Sequence, residues 1–221
     1  MDWQALALSV KLAAVTLVVL LPVGLWVGRW LAYTAFRGKA WIEGLVVLPL
    51  VLPPTVLGYY LLVSLGGASP LGRWLAETFN LRLTFNFLGL VVASVLFNIP
   101  FLIQPVQRAF EAIPRQLAEA AAVSGLSAWQ TFWRVEFPLA WPGVLSAMVL
   151  TFVHTLGEFG VVLMIGGSIP DETKTLAISI YDRVQAFDLA SADRMAALLL
   201  LLSLGAVGAS FFASAKLAVR R

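Results

Sequence analysis

Glu119-Ala120-Ala121-Ala122-Val123-Ser124-Gly125, followed at a fixed distance by Val135-Glu136-Phe137-Pro138, is the stretch on which the reading of this chain turns. Its pattern is E-A-A-x-x-x-G-x9-apolar-x-apolar-P, a polar insert between two long apolar runs. Ala, Leu and Glu dominate Gln116–Ser124 and are good helix formers. Pro114 suits a first helical turn, where its missing N–H has no cost. Gly125 permits a tight turn, and Ser127 can cap a second short helix through Val135. Three alanines give a face of little bulk, so a partner can approach the backbone closely, and Glu119 offers a charged contact. Gly125 sets the angle between the two short helices, and Pro138 ties the unit to the next apolar run. A bare E-A-A triplet would be an ordinary alanine-rich loop; the full spacing is far more specific.

The surroundings of that insert are built for lipid. The chain has 221 residues, 60% hydrophobic and 12% charged, with a mean hydropathy of +0.90. Soluble domains carry roughly 25% charged residues, so the deficit points to a membrane protein. Cysteine is absent, which removes disulfides, thiolate metal sites and cysteine nucleophiles, and the lone histidine, His154, leaves almost nothing for zinc. Five runs lack Asp, Glu, Lys and Arg: Leu12–Gly28, Gly44–Gly72, Leu83–Gln107, Phe137–Gly157 and Met195–Ala215. Each reaches or approaches the roughly 20 apolar residues that a spanning helix needs. Lys11 extends the first by snorkelling. The flank Met1-Asp2-Trp3-Gln4 has no basic side chain, so the first run is expected to be a retained helix and not a cleaved signal.

Charge placement sets the expected orientation. With the amino terminus outside, the cytoplasmic pieces hold Arg29, Arg37, Lys39, Arg108, Arg115, Arg134, Lys216, Arg220 and Arg221. That is nine of the fifteen basic residues against four acids, whereas the exterior pieces hold six basic residues and seven acids. The positive-inside rule supports this topology and places the carboxyl terminus in the cytoplasm. The net charge of +3 is then an orientation signal, and no nucleic-acid-binding pattern accompanies it.

Residues 1–221 read as one all-α, polytopic membrane domain of about five transmembrane helices. The polar insert with its flanks covers about 108–138, and an exterior loop about 168–194 leaves a sixth half-span open. Pro49, Pro53 and Pro54 forbid an unbroken helix in the second run. Asn98 and Pro100 predict a kink in the third, and Arg73–Thr84 reads as a short exterior connection. Leu176, Ile180, Val184 and Phe187 recur at helical spacing, which predicts a short helix at the outer leaflet. Trp3, Trp26, Trp30, Trp41, Trp74 and Trp141 fall near span ends, as interfacial anchors should. The phosphate-cradling G-x-x-x-x-G-K-[ST] is absent: Gly38-Lys39 is the only Gly-Lys pair, and Tyr33 stands where its first glycine would be. Any ATP hydrolysis must therefore come from another polypeptide.

The insert resembles the coupling loop of permease subunits in binding-protein-dependent ABC importers. Two further stretches resemble the molybdate permeases in particular: Leu48-Pro49-Leu50-Val51-Leu52-Pro53-Pro54-Thr55-Val56-Leu57-Gly58-Tyr59-Tyr60, and Gly157-Glu158-Phe159-Gly160 with Ile169-Pro170-Asp171-Glu172-Thr173-Lys174-Thr175 and Ile180-Tyr181. The resemblance covers most of residues 9 to 217; one departure is Phe137, where leucine usually precedes the proline. It implies a molybdate ABC transporter permease subunit of the cell inner membrane, working as a homodimer with two cytoplasmic ATPase subunits and an exterior molybdate-binding protein. ATP and magnesium would belong to the ATPase, and this chain would have no cofactor, metal or catalytic residue of its own. Five helices enclose too little space for an aqueous pathway, which also favours a two-fold dimer. Sulfate, thiosulfate or tungstate import stays open as an alternative. A stand-alone secondary transporter would be expected to show inverted repeats and paired intramembrane acids, and neither is found.

Glu119, Ala120, Ala121, Ala122, Gly125 and Pro138 are thus the expected ATPase-coupling residues. Pathway or gate candidates are Pro53, Pro54, Thr55, Thr151, His154, Gly157, Glu158, Phe159 and Gly160. Glu158 stands at membrane depth, where acids are functional by default. A carboxylate repels molybdate, so a gating role or a partnership with Arg183 or Arg194 is the expectation, with His154 one turn away as another partner. Thr55 and Thr151 offer hydroxyls to an oxyanion, although threonines in such helices commonly bond their own backbone carbonyls. The acids Asp171, Glu172, Asp182, Asp188 and Asp193 either meet basic residues of the binding protein or form a solvated loop.

Overall fold

The computed structural model describes residues 1–219, with side chains described through residue 212. Arg220 and Arg221, and the side chain of Lys216, which enter the orientation argument, lie outside that description. Eleven α-helices and one π-helical stretch follow one another, with no strand among the described residues.

Helix α1 (Trp3–Tyr33) starts where the Asp2 carboxylate accepts the Ala5 N–H at 3.0 Å. It packs lengthwise on α5 (Phe87–Glu111), which Asn86 caps by accepting the Gly89 N–H at 2.9 Å. Helix α8 (Phe137–Leu156) completes the central trio. Two apolar clusters fill it, one around Leu12, Leu90, Phe97, Val161 and Ile165, the other around Leu20, Leu102, Val106, Phe110 and Val144. Helix α11 (Leu189–Val219) lies against α8 with its outer face bare: Leu200, Leu201, Leu204, Phe211 and Phe212 are all exposed. That is a lipid-facing pattern, not an aqueous one.

Among the described residues, four helical stretches are long and apolar enough to cross a membrane: Trp3–Tyr33, Phe87–Glu111, Ala128–Leu156 and Leu189–Phe212. The second run becomes a bent pair, α2 (Lys39–Val51) and α3 (Pro54–Leu65), meeting at 104°, so the spans number five if that pair is one span. Proline chemistry explains the break. The residue before a proline is pushed out of the helical region, and Leu52 (ψ 138°) and Pro53 (ψ 135°) are both extended. Asn98 and Pro100 do not produce such a break, since α5 runs through both as one helix held between α1 and α8.

Two connections differ from the expected loops. The stretch expected to be a plain connection at 73–84 contains most of α4 (Pro70–Phe79), which Ser69 caps and Asn80 ends in a left-handed turn. Helix α10 (Leu176–Gln185) exists as the periodicity predicts but buries a different face. Leu176, Ile178 and Ser179 are covered, whereas Val184 and Phe187 are exposed. The reason is polar: Ser9 Oγ accepts the Leu176 N–H and the Ser179 hydroxyl donates to Asp2, each at 2.8 Å, which ties α10 to the start of α1.

Candidate functional site: an exposed elbow and two facing breaks

At one end of the bundle the E-A-A stretch forms α6 (Arg115–Val123), beginning just after the extended Pro114. It closes with a Schellman motif: Leu126 N–H donates to Ala121 O at 3.1 Å and Gly125 N–H to Ala122 O at 3.0 Å. Gly125 has φ +79° and nothing within 4 Å of where a Cβ would sit, so backbone conformation and not space demands glycine here. Ser127 and Gln130 then form a capping box that starts α7 (Ala128–Thr131). Glu119, Ala120, Ala122 and Val123 face outward, the last 90% exposed, while Ala121 turns inward. The low-bulk face is therefore two alanines wide, not three.

Between this elbow and α8 lies a π-helical stretch, Phe132–Glu136. Pro138 has no N–H to return to Arg134, and its ring crowds that carbonyl, so the ladder widens; Phe137 N–H reaches back to Phe132 O. The stretch ends on Glu136, which is 3% exposed and receives two bonds from Arg29 of α1: Nε at 2.5 Å and Nη2 at 3.1 Å. Rings pack around the pair. Arg29 lies over Tyr33 and Phe132, and Phe132 stacks with Phe110 and Trp129. Neither Arg29 nor its pairing with Glu136 was singled out from sequence, where only the charge itself was visible.

Deeper in the bundle, α8 stops at Leu156, and Gly157-Glu158-Phe159 leads into α9 (Gly160–Gly166). This break faces the α2–α3 break. Gly160 lies against Pro54 and Thr55, and Gly58 lies against Val161 and Met164, so two glycines let α3 and α9 touch. A cleft of about 520 Å³ opens there, lined by Pro54, Thr55, Phe97, Val153, His154, Gly157, Glu158, Phe159 and Gly160. Seven of the nine pathway candidates thus meet at one place. Pro53 stands one residue outside the lining, and Thr151 is buried with no hydrogen-bond partner for its hydroxyl. The expected back-bonding is made by Thr155, which donates to Thr151 O at 2.9 Å.

The Glu158 side chain is fully covered. Ser94 Oγ donates to Oε2 at 2.5 Å and Asn98 Nδ2 donates to Oε1, both from α5. Asn98 Oδ1 in turn accepts from His154 Nδ1 at 2.9 Å, which fixes the imidazole tautomer, and the ring stacks on Phe101 at 3.7 Å. The expected pairing of Glu158 with Arg183 or Arg194 does not occur. Arg183 binds Asp188 at 3.2 Å and Arg194 reaches Ala190 O and Ser191, because both belong to the α10–α11 corner while Glu158 is wedged against α5. His154 is 3.8 Å from Glu158 and engages it mainly through Asn98. Lys174 and Ser168 both contact Asp182. No cluster of three metal-ligating side chains forms among the described residues.

Apolar spans, a surface elbow and a pair of interrupted helices make up an all-helical membrane protein. The bacterial alginate ABC transporter in complex with its alginate pentasaccharide-bound periplasmic protein has this fold, at a TM-score of 0.76 over 94% of this chain and 76% of that one, with 16% identity. Residues 21–221 match the model of the binding-protein-dependent transport system inner membrane component family, and the chain belongs to that family. It is 49% identical over 203 residues to the molybdenum transport system permease protein ModB of Azotobacter vinelandii, covering 91% of this chain and 89% of that protein. It is 36% identical over 171 residues to the sulfate transport system permease protein CysT of Escherichia coli (strain K12), covering 76% of this chain and 61% of that one.

Proposed function

We propose that this chain is the membrane permease of an ATP-driven molybdate importer. The 49% identity to ModB across 91% of the chain carries the reading. Residues 1–221 act as one permease domain, with the amino terminus outside, the carboxyl terminus in the cytoplasm and the elbow on the cytoplasmic side. Glu119, Ala120, Ala122 and Gly125 offer the exposed surface to an ATPase subunit, and Pro138 joins it to α8. ATP binding draws two such elbows together, and its hydrolysis resets them, a population shift driven by unequal affinity for two conformations.

Two apolar clusters fill the interior of one copy, which supports a pathway between two copies. The cleft between the breaks forms its wall. Thr55, His154 and backbone groups around Gly157 and Gly160 face the solute, while Glu158 is turned into the protein and braces the gate. An exterior binding protein delivers the oxyanion. Likeness to CysT supports sulfate as the second reading.

Reconstitution with the ATPase and a molybdate-binding protein tests this. Molybdate should accumulate only with ATP, and excess sulfate should leave it unchanged; sulfate accumulation instead would favour the second reading. Gly125→Val should keep the protein inserted and assembled but separate ATP hydrolysis from uptake, and full uptake would remove the elbow from the mechanism.

A further inference from the structure

We propose that Arg29 and Glu136 form the link through which the elbow moves α1 together with α8. This rests on the reading of α6 and α7 as the ATPase contact. The elbow enters α8 through a π-helical stretch, a weaker ladder than the α-helices on either side. By itself such a joint would bend when pushed and absorb displacement. Glu136 is the last residue of that joint, and Arg29 holds it by a forked, charge-assisted pair from another helix.

Aromatic rings also pack beside the pair. Tyr33 of α1 meets Phe110 of α5, Phe110 meets Phe132, and Phe132 meets Trp129, Trp133 and Phe137. Rings from five segments thus form one packed block, and the guanidinium lies over two of them, Tyr33 and Phe132. Displacing α7 therefore carries the Arg29 end of α1 with it. Since α1 runs the full height of the bundle against α5, the thrust reaches the opposite end through a second helix besides α8. Arg29 and Glu136 are positioning residues: they touch neither solute nor nucleotide.

Three variants separate this role from mere structural support. Glu136→Gln and Arg29→Gln should each lower oxyanion uptake per ATP hydrolysed at least several-fold in assembled complexes. The double variant removes both charges, so no ion is left orphaned, and its thermal stability should recover. Its uptake per ATP should stay low, because the ionic fork is still missing. Recovery of both quantities together would overturn the proposal, as would an unchanged ratio in the single variants.

A distance measurement needs none of these variants. Because the chain lacks cysteine, spin labels can be placed on Val18→Cys in α1, Val123→Cys in α6 and Val63→Cys in α3, in dimers with one labelled copy. On ATP binding the Val18–Val123 distance should hold while Val123–Val63 changes, since α3 packs mainly on α9 and not on α1 or α8. A Val18–Val123 change as large as the other refutes the link. Lack of ATP-driven uptake in the unmodified complex would instead remove the importer reading itself.

Discussion

Glu136 and Glu158 are both buried, and both mark a place where one membrane-crossing segment departs from α-helical geometry, yet the protein treats them in opposite ways. At the elbow end Glu136 meets a guanidinium, and the charge stays within a closed pair. At the interior break Glu158 meets a serine, an asparagine and, through it, a histidine, all of them polar but none a fixed cation. Ion pairs lock geometry, because the fork fits only one arrangement. Neutral donors also satisfy a carboxylate, but hydroxyl and amide can exchange partners at lower cost. On the proposed reading, the contrast gives a rigid drive end and a yielding gate end.

The largest expected effect tests that contrast directly. Arg29→Ala leaves Glu136 buried without its cation and should cost about 3 kcal/mol, toward the low end for buried pairs because the Arg29 side chain keeps 35% of its exposure. Denaturant unfolding in detergent would measure it. Glu158→Ala orphans the donors of Ser94 and Asn98 and should cost about 2 kcal/mol, with Glu158→Gln recovering roughly half. If Glu158→Gln proved as harmful as Arg29→Ala, the distinction between the two glutamates would fail.

A steric prediction sharpens the gate side. A methyl at Gly58 would lie 2.7 Å from the Met164 Cβ and 3.1 Å from the Val161 backbone. Gly58→Ala should therefore cost about 1–2 kcal/mol and loosen α3 from α9, whereas Gly125→Ala, with open space around it, should cost about 1 kcal/mol through its φ alone. Thermal unfolding of both variants ranks them. The smallest effect concerns Asp2. Burial alone raises its pKa, but the Ala5 N–H, the Ser179 hydroxyl, Lys174 and Arg183 together hold the carboxyl below its usual value. A depressed carboxylate stabilises above its unfolded-state pKa, and that stabilisation is lost as pH falls through the folded value. Wild-type protein should thus lose slightly more stability than Asp2→Asn on acidification below about pH 4.

What could be read from sequence follows from how local the physics is. Pro53-Pro54 dictate a break by their own bonds, and Ser127 with Gln130 dictates a cap three residues long, so both were foreseeable. The partners of Glu158 lie 60 and 64 residues away on α5, and Arg29 lies 107 residues from Glu136. No pattern within a window reports such pairings. Helix α4 was different: Ser69-Pro70 is a start signal in plain view, hidden only by treating the stretch as a connection. For α10, periodicity gave the helix but not its buried face, because hydrogen bonds donated to Ser9 and to Asp2, rather than apolar area, decide which side turns inward.

The doubled proline has one more consequence. Helices α2 and α3 hold 13 and 12 residues, each about 20 Å long, so neither crosses the roughly 30 Å hydrocarbon layer alone. Their junction is therefore sunk in the bilayer, and the carbonyls of Pro49 and Leu50 find no ladder donor, since Pro53 and Pro54 carry none. Oil cannot serve those oxygens, so a neighbouring helix, a hydroxyl or water must. The break thus obliges some polar company at this depth, a consequence of two ring nitrogens rather than of any charged side chain.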